Sequence, residues 1–358
     1  MFTTPVLTLL AMFSMGTLKP SPILELEHIS EDSDVFLQLP LDVAIDDEGK
    51  FYVVDATAKT VFVWNKDGSF EGNIGEAGEG PGEFRFTSMG GPQAYLSIFK
   101  GDLLVYDGGN SSVNLFKDKV YTSSTTVKIP QGRTEYFKVT PEGEYLVYIQ
   151  KWGEAPSRQV DVYDKKGQPI RPILTAPDET YTLKTGKDGG FGGLNLKAFS
   201  SRLMVHYDQS SGQVITGSGA TPSFEVYDIS GKLVRKVSVK LMQQEVTRED
   251  QEEYNSQTWI SRGVKSGFLK IEFPEKKPFY THLLPLKDKG TLVYTLSPHE
   301  RRIQGLLVND EGATLSTFKL TCGQGGNLFS VNGRIIAVML DENDEFVIRE
   351  LGFQEVGS

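Results

Sequence analysis

The sequence is poor in the residues that bind metals through sulfur or imidazole. Its 358 residues include one cysteine, Cys322, and four histidines at positions 28, 206, 282 and 299. One cysteine cannot form an internal disulfide or a thiolate zinc site, and the scattered histidines have no metal-ligand spacing. Because Cys322 lies beside a Gly-rich turn, we predict a small buried apolar side chain there and not a nucleophile. No catalytic constellation is evident in the sequence.

The sequence also lacks a basic excess and long apolar runs. Its 37 Lys and Arg against 47 Asp and Glu give a net charge of -10, which argues against non-specific binding to nucleic acid or to an anionic membrane surface. No segment reaches membrane-spanning length. The apolar run Val6 to Met15 has the length of a signal-peptide core, although no Lys or Arg precedes it and no A-x-A site follows it. We expect residues 1–20 to be an export signal for the periplasm or the exterior, the alternative being a disordered or docked tail of a cytoplasmic protein.

What the sequence does contain is a repeat, shown most clearly from Leu39 to Phe84. Four short runs rich in β-branched and aromatic residues alternate there with turn residues, which predicts a four-stranded antiparallel meander. One such meander cannot bury enough apolar surface alone and needs to stack on similar units. Weaker copies occupy residues 94–127, 136–167, 202–239, 280–320 and 328–351.

A turn signature after the third strand supports the repeat. Four copies share two hydrophobic residues, Asn or Asp, two variable residues and Gly: VWNKDG at 63–68, VYDKKG at 162–167, VYDISG at 226–231 and LVNDEG at 307–312. The sixth copy lacks a last strand, and the alternating segment Ile23 to Ile29 stands alone before the first copy. We therefore predict an all-β fold over residues 21–354, a single six-bladed β-propeller of four-stranded blades closed by this N-terminal strand.

One segment departs from the β pattern. Residues 241–262 include a polar stretch free of Gly and Pro, in which Thr247 is followed three residues later by Asp250. This spacing predicts a helical insert opened by a Thr cap.

The first copy resembles an NHL repeat, most specifically in the Gly75-x-x-Gly-x-Gly-Pro-Gly-Glu-Phe84 ending. The whole chain resembles bacterial six-bladed β-propellers of the NHL and TolB-like group. That resemblance implies a propeller fold but no single function, since such propellers include binding proteins, scaffolds and enzymes. In the group, metal-dependent lactonases and related hydrolases place acids around an ion in the central channel.

Acids recur after strands of the predicted blades, at Asp55, Asp107, Asp208 and Asp341. We place all four just after the second strand of copies one, two, four and six. A carboxylate at a strand end can accept backbone N–H bonds and fasten the next turn. The alternative is that some of them line one mouth of the channel and bind Ca²⁺, another divalent cation or a polar ligand.

Two further segments are candidate binding loops. The stretch Lys184 to Leu196 places Phe191 between glycine pairs and is predicted to be a mobile loop between blades. The stretch Pro298 to Arg302 gathers His299, Arg301 and Arg302, for which a solvated turn competes with an anion site. We expect a ligand- or protein-binding module with an unknown partner, the alternative being a divalent-cation-dependent hydrolase or lactonase that uses Asp55, Asp107 and Asp208.

Overall fold

A computed structural model of the chain describes residues 17–27, 36–88, 91–129, 132–153, 155–186, 191–209, 211–287, 289–297, 302–321, 326–341 and 343–356. The prediction of a largely β structure is confirmed, because these residues form 31 strands and two helices.

The first half of the chain begins with a single strand and continues with three meanders. The strand is β1 (Thr17–Glu25). The first meander consists of β2 (Pro40–Ile45), β3 (Phe51–Asp55), β4 (Thr60–Trp64) and β5 (Phe70–Ile74). Short pairs follow at β6 (Glu76–Ala77), β7 (Glu83–Phe84), β8 (Thr87–Ser88) and β9 (Gly91–Pro92). The second meander is β10 (Ala94–Phe99), β11 (Asp102–Asp107), β12 (Ser112–Lys117) and β13 (Val120–Thr126). The third is β14 (Gly132–Val139), β15 (Tyr145–Lys151), β16 (Ser157–Tyr163) and β17 (Pro169–Pro177).

The second half holds an inserted unit and three more meanders. After β18 (Tyr181–Thr185) and β19 (Phe191–Lys197), the fourth meander is β20 (Met204–Asp208), β21 (Gln213–Gly217), β22 (Ser223–Asp228) and β23 (Leu233–Ser238). The helices α1 (Arg248–Ser256) and α2 (Thr258–Lys265) and the strand β24 (Leu269–Glu272) follow. The fifth meander is β25 (His282–Leu286), β26 (Gly290–Ser297), β27 (Arg302–Val308) and β28 (Thr314–Thr321). The last strands are β29 (Gly326–Val331), β30 (Arg334–Leu340) and β31 (Phe346–Val356).

The first four meanders each form a sheet of four consecutive antiparallel strands. The last strands join one larger sheet in the order β25-β26-β27-β28-β1-β31-β30-β29. In it β1 runs antiparallel to β31 from Thr17 opposite Val356 to Glu25 opposite Arg349. β1 therefore lies where the sixth meander lacks a fourth strand.

The N-terminal strand is displaced from its predicted position. It starts at Thr17, six residues before Ile23, and residues 28–35 lie outside the described part of the chain. Pro20 and Pro22 hid this start because proline cannot donate a ladder hydrogen bond. The structure accommodates both prolines, because β28 pairs with β1 only at Thr17 and Leu18 and leaves one edge of β1 open beyond them.

Six apolar clusters lie between neighbouring meanders and form a ring. One cluster joins the first and second meanders and includes Val54 and Val105, and another joins the last sheet to the first through Ile336 and Phe62. The remaining four clusters pair the second meander with the third, the third with the fourth, the fourth with the fifth and the fifth with the sixth. Each meander thus buries both faces, which a single one cannot do.

The Gly-rich ending of the first repeat packs into this ring. Phe84 is fully buried in the cluster between the first two meanders and stacks on Phe86 with ring centroids 4.6 Å apart. Gly75 has a φ of +72°, and a Cβ there would lie 2.3 Å from the Phe84 ring. The segment therefore packs between the first two meanders.

A separate unit interrupts the ring pattern, and we call it the insert unit. It comprises the sheet β18-β19-β24 with helices α1 and α2. The predicted Thr cap is present, since Thr247 accepts a bond from the Asp250 backbone N–H and Asp250 accepts one from the Thr247 N–H. The predicted helix at 241–262 differs from the two helices found, which start at Arg248 and end at Lys265. The predicted mobile loop at 184–196 is wrong for its described residues, because Leu194 pairs with Leu183 on one side and with Leu269 on the other.

Candidate functional site at the channel mouth

One cavity collects the ends of six strands. The first strands of the meanders are β2, β10, β14, β20, β25 and β29. The cavity is lined by residues near the C-terminal end of every one of these strands. Its volume is about 70 Å³, room for a few water molecules or for the narrow end of a polar ligand. We call this cavity the channel mouth. Its lining comprises residues 43–45, 96–98, 136, 138, 206–209, 285, 287 and 330–333.

A buried ion pair beside the cavity ties the first three meanders together. Asp42 Oδ2 lies 2.7 Å from Lys138 Nζ and accepts a 2.8 Å bond from the Leu96 N–H, while Lys138 Nζ also donates to the Leu96 carbonyl at 2.8 Å. The two side chains are only 8% and 15% exposed. A charge buried to this extent is stable only while its partner and hydrogen bonds are present. The positive charge of Lys138 is therefore largely compensated within the protein.

The wall next to Lys138 is polar and neutral. The Tyr207 N–H donates to Tyr136 Oη at 3.0 Å, and the Tyr136 and His206 rings lie 6.1 Å apart. Burial, with the Lys138 charge adding to it, lowers the pKa of His206 to about 4. Burial also raises the pKa of Tyr136 far above its ordinary value. Both rings are consequently uncharged at pH 7 and offer hydrogen-bonding groups without net charge.

Side-chain amides link further blades around the mouth. Gln209 Nε2 donates to the Val139 carbonyl at 3.1 Å, and Asn332 Nδ2 donates to the Ile45 carbonyl at 3.0 Å. The second bond crosses from the sixth meander to the first. Within the described part of the chain, the carbonyl oxygens of Gln209 and Asn332 have no partner, so both can accept hydrogen bonds from a ligand.

A wider groove continues outward from the mouth. It has a volume of about 540 Å³ and shares four residues with the mouth, at positions 45, 209, 287 and 332. Its lining includes the acids Asp46, Asp47 and Glu48 from the turn after β2 and the cations Lys287 and Arg334 from the fifth and sixth meanders. Arg334 is paired with Glu350, whereas Lys287 is exposed and has no ion pair with any residue that the structure describes. The groove is thus lined both by acids and by a cation that has no ion pair within the described part of the chain.

Two of the four predicted acids fasten backbone and lie away from the mouth. Asp55 is fully buried, and its carboxylate accepts bonds of 2.6 to 2.9 Å from the backbone N–H groups of residues 38, 39, 57 and 58. Asp107 is also fully buried and accepts backbone bonds from residues 85, 86, 109 and 110. Asp55 is paired with Pro40 and Asp107 with Ala94, at the starts of β2 and β10. Both acids therefore lie at the ends of the first strands that face away from the channel mouth.

Asp208 was assigned to the wrong strand. It ends β20, the first strand of the fourth meander, and lies opposite Gln213. It is therefore in the lining of the mouth, whereas Asp55 and Asp107 end the second strands β3 and β11, and Asp341 directly follows the second strand β30. The four acids do not converge on one place. Among the described residues, no three His, Cys, Asp or Glu side chains are grouped closely enough to hold a metal ion.

The other candidates lie elsewhere or outside the described residues. Phe191 begins β19 in the insert unit and is 63% exposed. Arg302 begins β27. His299, Arg301 and Cys322 lie outside the described residues.

Apart from Asp208, sequence reasoning missed the residues that surround the mouth. Asp42, Lys138 and Gln209 stand in different repeats and carry no shared motif. One signal was available, because Asp42 is an acid within the apolar strand LDVAI at positions 41–45. A charge in such a strand requires a buried partner, which the sequence does not name.

Residues 15–89 match the DUF5128 family, which is described as a 6-bladed beta-propeller, and this range contains the clearest repeat. The chain has a six-bladed β-propeller fold. Solved propeller-like structures agree over nearly the whole chain. A DUF4221 family member from Bacteroides vulgatus has a TM-score of 0.55 at 10% identity, covering 96% of this chain and 100% of that one.

Two further structures have the same degree of likeness. A protein from Bacteroides fragilis, provisionally named an exported protein, has a TM-score of 0.54 at 13% identity, with coverage of 94% and 96%. The PQQ-bound aldose sugar dehydrogenase of Streptomyces coelicolor has a TM-score of 0.52 at 12% identity, with coverage of 95% and 99%. A comparison with curated proteins gave no match. At these identities the likeness shows the propeller fold alone.

In the described part of the propeller, neither helix has the length and apolar character needed to cross a bilayer.

Proposed function

We propose that this propeller, of the NHL and TolB-like kind, is a non-catalytic binding module that holds a small polar ligand at the channel mouth. The observation that carries the proposal is the convergence of all six first strands on one polar cavity that opens into a charged groove. Concave sites with a few convergent polar groups are where propellers and other folds bind small molecules.

The polar groups indicate what kind of ligand fits. The carbonyl oxygens of Gln209 and Asn332 call for donors on the ligand, and Lys287 calls for an acceptor or an anionic group. The cavity of about 70 Å³ admits only a narrow end, whereas the groove of about 540 Å³ accommodates a larger body. A ligand with both donor and anionic groups, such as an amino acid or a short peptide, satisfies these conditions.

The hydrolase alternative keeps one of its three predicted acids at the mouth, Asp208. Asp55 and Asp107 already accept four backbone bonds each. A divalent-cation site would therefore need Asp208 together with groove acids such as Asp47 or Glu48. This alternative is tested by the same experiment.

The test measures the melting temperature of the full chain with free amino acids, short peptides, monosaccharides, CaCl₂, MgCl₂ or ZnCl₂ at millimolar concentration. A ligand at 100 times its Kd stabilises the folded state by about 2.7 kcal/mol, which is readily detected. Lys287→Ala and Gln209→Ala should reduce the shift, while Lys319→Ala on the outer strand β28 should leave it unchanged.

Three outcomes contradict the binding proposal. A shift that persists in both mouth variants would place the site elsewhere. A shift caused only by a divalent cation and lost in Asp208→Asn would favour the hydrolase. No shift with any amino acid, peptide or sugar would exclude a small polar ligand of the proposed classes.

We also propose that β1 closes the ring and that the apolar run before it directs export. The run Val6 to Met15 ends two residues before β1 begins at Thr17, so cleavage near residue 16 would preserve the strand. N-terminal sequencing of the protein recovered from cells tests the export proposal. A mature protein that retains Met1 would contradict it.

A further inference from the structure

The insert unit exposes apolar side chains that converge at one corner. Phe191, Val264 and Phe268 are 63%, 45% and 44% exposed. The Phe191 and Phe268 rings meet edge to face with centroids 5.7 Å apart. The turn at Gly267 connects this pair to the end of α2, since the Gly267 N–H donates to the Val264 carbonyl at 3.0 Å. Burying large apolar groups is favourable, so three exposed ones at one corner indicate an interaction surface.

Cations surround the same corner. Lys184 Nζ lies 3.4 Å from the Gly267 carbonyl, and Lys265 is the last residue of α2. We call Lys184, Phe191, Val264, Lys265 and Phe268 the insert tip. A Cβ added at Gly267 would meet no atom within 4 Å, so the turn at the centre of the tip faces open space.

The described strands and helix that carry the insert tip have more cations than acids, unlike the whole chain. The segments 181–186, 191–197 and 258–271 contain five cations and no Asp or Glu. These cations are Lys184, Lys197, Arg262, Lys265 and Lys270. Lys187 and Asp188 stand between the first two segments in the sequence, outside the described residues. Glu272 follows the third segment, pairs with Lys270 at 3.3 Å and lies opposite Lys197 where β24 runs beside β19. Arg262 and Lys265 have no ion pair with any residue in the described part of the chain.

This local excess matters more than the net charge of -10. At physiological salt the Debye length is about 8 Å, so a surface that touches the tip experiences mainly the charges beside it. The acidic remainder of the chain disfavours contact through other faces. The net charge argued against an anionic membrane surface as a partner, but a sum over the whole chain does not describe one corner.

We propose that the insert tip docks on the surface of an anionic lipid bilayer. Phe191, Val264 and Phe268 would enter the headgroup region, and Lys184 and Lys265 would contact lipid phosphates. Exposed aromatic and aliphatic side chains flanked by Lys and Arg are the composition of interfacial membrane anchors. A planar, anionic and partly apolar surface complements a projecting corner, whereas an acidic protein would require a matching concave site. The inference is independent of the ligand proposed for the channel mouth.

The test is co-sedimentation of the full chain with vesicles of pure phosphatidylcholine or of phosphatidylcholine with 30% phosphatidylserine. We expect binding to the anionic vesicles only, with strong weakening between 0.1 and 0.5 M NaCl. Each lysine near an anionic surface contributes about a fivefold change in partition coefficient. Lys184→Gln/Lys265→Gln should therefore weaken binding at least about tenfold. Phe191→Ser/Phe268→Ser should abolish detectable pelleting.

Matched controls use exposed residues far from the tip in sequence. Val120→Ser/Leu233→Ser removes two exposed apolar side chains on β13 and β23, and Lys166→Gln/Lys232→Gln removes two exposed lysines in turns between outer strands. Both controls should bind like the unchanged protein. If the Phe variant fails to fold, the lysine variant alone decides, because its side chains lie at the surface.

Several results would overturn the proposal: no pelleting with anionic vesicles, equal pelleting with neutral vesicles, or an equal loss of binding in the tip and control variants. Light scattering can give a further contradicting result. A dimer at micromolar concentration that is lost in Phe191→Ser/Phe268→Ser, without vesicle binding, would make a second copy the occupant of the tip.

Discussion

Replacing Asp55 with alanine should destabilise the propeller far more than replacing Asp208 or Asp341. Asp55 is fully buried and accepts four backbone hydrogen bonds, which hold the chain entering β2 and the turn after β3. A hydrogen bond to a charged group contributes about 1.5–3 kcal/mol. Water can satisfy part of the freed donors, so we expect a loss of about 4–6 kcal/mol in the free energy of unfolding.

The two comparison acids make weaker attachments. Asp341 is partly exposed, and its carboxylate accepts bonds from the Asn343 and Glu345 backbone N–H groups of the same turn at 2.8 and 3.0 Å. Asp208 is also partly exposed, with Ser211 Oγ donating to it at 2.7 Å. Bonds within one exposed turn contribute less because water replaces them, so each alanine variant should lose about 1 kcal/mol.

The measurement is urea unfolding followed by tryptophan fluorescence, with Asp55→Asn as an isosteric variant. The asparagine keeps one carbonyl oxygen but directs an NH₂ group at two donors. The free energy of unfolding of Asp55→Asn should therefore lie between the values for the wild type and Asp55→Ala. Equal losses at Asp55, Asp208 and Asp341 would refute the reasoning. So would a divalent cation that stabilises the wild type and has no effect on Asp55→Ala, because the carboxylate would then bind an ion.

Three further predictions concern buried charge and ring closure. Arg158 and Asp178 are 4% and 0% exposed and lie 3.1 Å apart, so Asp178→Ala should cost about 3–5 kcal/mol; a double-mutant cycle with Arg158→Met should recover much of this, and strict additivity would contradict the pairing. Burial lowers the pKa values of His206 and His282 to about 4 from 6.5, so stability should fall by up to about 3 kcal/mol for each as pH falls from 6.5 to 4; urea titrations of His206→Gln and His282→Gln should show shallower slopes, and unchanged slopes would contradict buried neutral imidazoles. Deleting residues 1–25 should leave β31 without its outer partner and cause aggregation visible by light scattering, whereas deleting residues 1–16 should not; a monomeric, stable product of the longer deletion would contradict closure by β1.

The repeat could be predicted because its turn signature has a local physical cause. In the first copy, the Gly68 N–H donates to the Asn65 carbonyl at 2.9 Å, and Gly68 has a φ of +89°. Gly167, Gly231 and Gly312 occupy the same place with φ values between +73° and +88°. Glycine adopts this conformation without the steric cost that a Cβ brings, so the same residue recurs wherever the same turn is made. Local chemistry of this kind is visible in sequence.

The strand assignment of Asp208 failed for a related reason. The segment Val205–Asp208 reads VHYD and resembles LVYD at 104–107, which ends a second strand. Both patterns describe a half-buried strand ending in an acid, and this pattern is the same for first and second strands. Only the pairing of Asp208 with Gln213 distinguishes them, and pairing is a property of two strands that a single tetrapeptide does not contain.

The channel mouth and the insert unit were hidden by distance along the chain. Asp42 and Lys138 are 96 residues apart, and Leu194 meets Leu269 across the whole fourth meander. Contacts of this kind depend on the curvature of the ring and on an insertion within it. A sequence predicts which residues require burial or a polar partner, but it does not predict which distant residue supplies that contact.

The differences among the blades explain why the mouth is an asymmetric site. In the first three meanders, the first strands are joined by the charged pair of Asp42 with Lys138. In the later meanders they are joined by neutral groups such as Ser330, which donates to the Pro285 carbonyl at 2.6 Å. On the neutral side, Asn332 uses its donor for Ile45 and keeps its acceptor for a ligand. The cation at Lys287 stands on that side, while Lys138 is already compensated. A ligand should therefore orient with its anionic group toward Lys287 and its donors toward Gln209 and Asn332, because Lys287 attracts an anionic group while the Asp208 carboxylate in the lining repels it.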